Sequence, residues 1–118
     1  MLRVSAQSSN TEVDILSING DVDAAAKGVE FGVELMLFAE SIATRNEETL
    51  VQTREELATI AGDVVLVEAA GVAANFQRMV RIADSMGIPV DNLAAKVGTE
   101  VRQELGIDRF ASAKNSQV

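Results

Sequence analysis

The sequence predicts an all-α fold, a compact bundle of about four main helices. Three observations carry this. Apolar residues recur at three- and four-residue steps through most of residues 21–106. Capping residues and helix-ending glycines bracket four segments. Of the 118 residues 47% are hydrophobic but only 3% aromatic, four Phe with no Trp or Tyr, so the core must be built from Ala, Val, Leu, Ile and Met. This length suits one domain with a single core. The expected organisation is a mobile N-terminal arm over residues 1–20, a helical domain over 21–106 and a flexible tail over 107–118.

Residues 1–12 are polar and aperiodic, with Ser8, Ser9, Asn10 and Thr11 in a row. Val13 to Ile18 alternates and closes on Asn19-Gly20, which reads as an extended strap or as a short strand with no sheet to join. The first helix is expected over Val22–Ala43, with Asp21 or Asp23 as N-cap and Phe31, Leu35, Phe38 and Ile42 on its buried face. Gly28 and Gly32 fall inside it, through a close-packed neighbouring helix or through simple tolerance. The second helix runs from Glu47 to Ala61, capped by Asn46, supported by Glu47 and Glu48 in its first turn and stopped by Gly62. Leu50, Leu57 and Ile60, with Val51 or Thr53 between, give it one narrow apolar stripe on a charged body, so it belongs on the outside.

The third helix opens at Asp63 and extends to Met86. Its first half, VVLVEAAGVAANF, is apolar nearly all round, which predicts a central helix covered on most sides. Its second half is amphipathic, with Met79, Ile82 and Met86 expected toward the core. Gly87 and Ile88-Pro89 end it, and Asp91 is expected to cap a fourth helix through Leu105, with Leu93, Val97, Val101 and Leu105 on the buried line and Gly106 as its stop. Phe110 is the one expected anchor of the tail.

Composition excludes several chemistries. There is no cysteine and no histidine, so these residues supply no thiol or imidazole and no histidine-ligated metal. The net charge of −8 argues against a nucleic-acid partner and against anionic membrane surfaces. No apolar run reaches the roughly 20 residues that span a bilayer and the N-terminus lacks a signal-type apolar stretch, so the expected location is cytoplasmic. There is no glycine-rich phosphate loop.

Glu68 is the sharpest candidate catalytic residue. A carboxylate in an apolar helix is costly unless paired or protonated, and desolvation would raise its pKa toward the range useful for proton transfer. The competing reading is a polar contact inside a helix interface. Asn75 lies two turns on and on the same side, and Arg78, Arg81 and Glu34 complete the candidate binding residues. Arg81 and Asp84, at i,i+3, suit a local pair. Glu30 and Glu34, one turn apart, raise a carboxylate metal site with Glu68, but bundle di-iron sites want Glu-x-x-His pairs. A solvated acidic face is the better reading, and no metal or cofactor is expected.

The stretches FAESIATRNEE (residues 38–48) and VEAAGVAANFQRMVRIADSMGIPVD (residues 67–91) share features with a known family. Phe38 and Ala39 open the first signature. Val72, Ala73, Phe76, Met79, Arg81, Ala83, Asp84, Gly87 and Asp91 carry the second. The chain resembles, over a little under half its length, the C-terminal part of the alkylhydroperoxidase-like proteins, the carboxymuconolactone decarboxylase-like superfamily. The resemblance implies an all-helical fold completed by oligomerisation, as a dimer or a trimer of dimers. That family's redox activity depends on a Cys-x-x-Cys pair with a glutamate and a histidine, and with no Cys or His here none of it transfers. The usual cysteine-bearing repeat has no room ahead of the matched one. Glu68 falls near where a proton-relay glutamate would sit.

Together these readings lead to a non-catalytic homo-oligomer with that scaffold, with a small molecule or a partner protein bound at a subunit interface. A cysteine-independent lyase or decarboxylase using Glu68 as acid or base, and an acidic helical adaptor for a protein partner, are the alternatives.

Overall fold

The computed structural model describes residues 6–91 and 96–116, apart from the side chain of Val97. Among the described residues the fold is all-helical, with no strand. The chain divides into two units, Met1–Asn75 and Phe76–Val118.

In the first unit the segment expected as a strap or strand is a 3-10 helix, Ile15–Asn19, with Ile15 buried. Asp14 sets it: its carboxylate accepts the Leu16 amide at 3.0 Å, and Gly20, at φ 83°, closes it by donating to the Ser17 carbonyl. So the stretch expected as a mobile arm holds one of the core residues of this unit.

The single helix expected over Val22–Ala43 is two: α1, Val22–Ala25, and α2, Gly32–Thr44. Asp21 caps α1 by accepting the Ala24 amide at 2.9 Å, as its position predicts. The break comes from residues 26–31, where Gly28 (φ 77°) and Phe31 (φ 55°) take left-handed conformations. A Cβ on Gly28 would collide with the Glu12 carbonyl, and one on Gly32 with the Ala25 carbonyl. Both glycines do answer to close packing, Gly28 against the Glu12 backbone, which is in no helix, and Gly32 against the carbonyl of Ala25, the last residue of α1.

Arg45 (φ 55°) ends α2, and Asn46 then caps α3, Glu47–Ala61, by accepting the Thr49 amide at 3.1 Å. The two-residue link turns α3 back onto α2. Their interface buries Phe38 and Leu57 around a hydroxyl pair, Ser41 and Thr53, whose oxygens lie 3.1 Å apart. Each hydroxyl also reaches a carbonyl of its own helix, Ser41 that of Phe38 at 2.7 Å and Thr53 that of Thr49 at 2.9 Å. Leu57 is fully buried and Thr53, one of the two residues expected between the stripe's ends, is buried with it, whereas Ile60, expected on the same stripe, is exposed.

The long helix α4 spans Asp63–Met86, with the predicted bounds. Its expected burial is not found. No residue of α4 is buried. Within the first unit Val64 is 73% exposed and Val67 70%, and only the line Val65, Leu66, Ala69, Ala70 and Ala73 is partly covered. This is not the central helix that its composition predicts, because composition reports a need for cover and not who supplies it.

In the second unit Met79, Ile82 and Met86, expected toward the core, are exposed as well, with Phe76 and Val80. Gly87 (φ 65°) stops α4: its amide donates to the Asp84 carbonyl at 3.3 Å and the Ile88 amide to that of Ala83 at 3.0 Å, the two bonds of a Schellman end. The last helix, α5, is described from Lys96 to Leu105, not from Asp91, which lies in a turn. Leu105 is buried as expected; Leu93 and the side chain of Val97 lie outside what is described. Gly106 (φ 60°) ends α5. Two 3-10 helices follow, Ile107–Arg109 and Ala111–Ser116. Phe110, the expected anchor, is half exposed; Ser116 is buried instead, and its hydroxyl accepts the Val90 amide at 2.7 Å.

Two substitutions test the turn geometry. Arg45→Gly removes a left-handed non-glycine residue, and the relief of about 1–2 kcal/mol outweighs the added freedom of the unfolded chain, about 0.5–1 kcal/mol. The urea midpoint should rise with an unchanged slope. Gly20→Ala should cost only the left-handed penalty, since nothing lies within 4 Å of its Cβ position. Gly28→Ala should cost at least about 1 kcal/mol more, because the Glu12 backbone must also move.

Candidate functional site

The predicted site residues fall in both units. In the first, Glu34 is half-buried in the opening turn of α2, where a carboxylate favours the helix dipole. Glu30 precedes the left-handed Phe31 and lies outside that helix, so the two glutamates do not share a helical face. Among the described residues no three Asp or Glu side chains come together as a metal would require. Glu68 and Asn75 do lie on one side of α4, two turns apart, as their spacing predicts.

The burial expected of Glu68 is absent. Its side chain is exposed, and so are the neighbouring Val64, Val67 and Val72. Asn75 is exposed too. Among the described residues every buried side-chain nitrogen and oxygen has a hydrogen-bond partner, and none is held out of water unsatisfied. In the second unit Arg78 and Arg81 are exposed on α4, one turn apart.

The second unit also contains an open cleft of about 420 Å3 lined by Asp84, Phe110, Ala111, Ser112, Lys114 and Asn115. Asp84 belongs to the charged group noted in the sequence; the other five come from the segment expected as a flexible tail. Short 3-10 turns carry too few residues for any periodicity to reveal them. The cleft offers a carboxylate, an ammonium, a hydroxyl and an amide. It is open to water, so charge interactions there are screened, and Glu68 does not line it.

No helix among the described residues is long and apolar enough to cross a membrane. Comparison with protein-family models, with curated proteins and with solved structures finds no match to this chain.

The Ser116 contact gives a local test. In Ser116→Ala the Val90 amide loses its acceptor, a loss of about 1 kcal/mol. Hydrogen exchange at that amide should speed up about five- to ten-fold while the amides of α2 and α3 keep their protection.

Proposed function

We propose that this chain is a non-catalytic, homo-oligomeric helical protein related to the alkylhydroperoxidase-like scaffold, working in the cytoplasm and holding a small molecule or a partner protein at a subunit interface. One observation carries the reading. Along α4, Val64, Val67, Val72, Phe76, Met79, Val80, Ile82 and Met86 all stand exposed in the single chain. A soluble monomer rarely leaves so many large apolar side chains along one element open to water, and burial in an assembly is the ordinary remedy.

Two further points support the reading. With no cysteine and no histidine, these residues offer neither the thiols nor the imidazole of the redox members of that superfamily. The exposed helix also coincides with the stretch that carries the resemblance, residues 67–91.

Size-exclusion chromatography with light scattering is the test. At micromolar chain concentration the mass should correspond to two or more copies, with dissociation on dilution. A strict monomer throughout would overturn the proposal.

A further inference from the structure

The cleft of the second unit is lined by two charged residues, Asp84 and Lys114, two neutral polar ones, Ser112 and Asn115, and two apolar ones, Phe110 and Ala111. Its volume of about 420 Å3 falls toward the lower end of the range for small-ligand sites, roughly 300–1,000 Å3. Its polar groups are uncommitted. Among the described residues no ion pair forms between Asp84 and Lys114, or between Asp84 and Arg81, the partner that the i,i+3 spacing suits. The side chains of Ser112 and Asn115 likewise make no hydrogen bond among the described residues. Asn115 is half-buried, with its side-chain oxygen 4.0 Å from the position a Cβ on Gly87 would take.

Each of the two charges favours an opposite one. Asp84 stands in the last turn of α4, where the helix dipole already presents its negative end and no basic residue answers it. Carboxylate and helix end together favour a cation. Lys114, on the 3-10 helix Ala111–Ser116, carries an ammonium with three donors and no acceptor, which favours an anion. A simple cation would gain at Asp84 and lose at Lys114, and a simple anion the reverse. A molecule with an ammonium and a carboxylate on one short frame gains at both. Ser112 and Asn115 can each donate and accept, so they can serve whatever N–H and oxygen groups remain. Phe110 is half exposed, its ring centroid 5.3 Å from the Arg109 guanidinium, and with Ala111 it leaves an apolar surface for a hydrocarbon side chain.

We propose that this cleft binds a free amino acid with an apolar side chain, its ammonium on Asp84, its carboxylate on Lys114 and its side chain on Phe110. The lining residues all belong to one chain, so the site goes beyond the oligomeric reading and does not depend on it. Because both charges are in water, binding is weak, of millimolar order, and falls as salt is raised.

The test is a titration of the isotope-labelled full chain with L-phenylalanine at low ionic strength, followed by amide chemical shifts. Saturable shifts are expected at Asp84 and across residues 110–115. Three further probes each lack one recognised group: L-phenylalaninamide the carboxylate, N-acetyl-L-phenylalanine the ammonium, and glycine the ring. Each should bind about two- to five-fold more weakly, the worth of one solvent-screened contact. Asp84 and Lys114 are both exposed, so replacing them leaves the fold intact. Asp84→Asn should weaken L-phenylalanine by the same factor without weakening N-acetyl-L-phenylalanine, and Lys114→Gln should weaken it without weakening L-phenylalaninamide. No saturable shift in the cleft at tens of millimolar L-phenylalanine would overturn the proposal, as would equal binding of all four probes or saturation elsewhere in the chain. A single probe that matches L-phenylalanine would overturn the contact assigned to the group it lacks. The mass by light scattering bears on the oligomeric reading alone, so the two can fail separately.

Discussion

Burial of Phe38 and Leu57 around the Ser41–Thr53 hydroxyl pair is the contact on which the first unit depends. The two hydroxyls sit where an all-apolar interface would place methyl groups, and each also bonds a carbonyl of its own helix, so neither is left unsatisfied. Because small side chains stand at the crossing, α2 and α3 can approach closely enough for Leu57 to be fully enclosed.

That contact can form only because the chain is broken on each side of α2. Gly28 and Phe31 separate it from α1, and Arg45 separates it from α3. Three left-handed residues, two of them not glycine, carry a conformational cost of the order of 1–2 kcal/mol each for the non-glycines. The burial in the α2–α3 interface offsets it. A continuous helix over residues 22–43 would carry Ala24 and Ala25 away from Ile15, and the small cluster those three residues bury would be lost.

What the sequence makes legible follows from local chemistry. Asn46, Gly62, Asp63, Gly87 and Gly106 act within a turn of themselves, and the helix boundaries they set agree with the pattern. The break at residues 26–31 is hidden because its cause is non-local. Gly28 matters through the Glu12 carbonyl, sixteen residues earlier, while the apolar periodicity of Phe31 to Ile42 continues smoothly back across the gap. The C-terminal segment is hidden for a related reason: Ser116 is buried by its bond to Val90, a contact that no composition of serine, lysine and asparagine announces. Of the candidate site, the shared face of Glu68 and Asn75 was readable, since it depends only on helical geometry. The exposure of Glu68 was not, since it depends on what covers the helix.

The same distinction changes the meaning of Glu68. A carboxylate surrounded by apolar residues in sequence suggests a desolvated acid or base only if those residues are covered within the chain. In α4 they are not, so in the single chain the group is in water. If cover comes from a second copy of the chain, the carboxylate and its cover arrive together, and such burial requires an opposite charge beside it. The exposed apolar side chains along α4 then have one physical explanation: they form a surface that a second copy of the chain covers. A catalytic carboxylate accounts for Glu68 and leaves that exposed apolar surface without a cause.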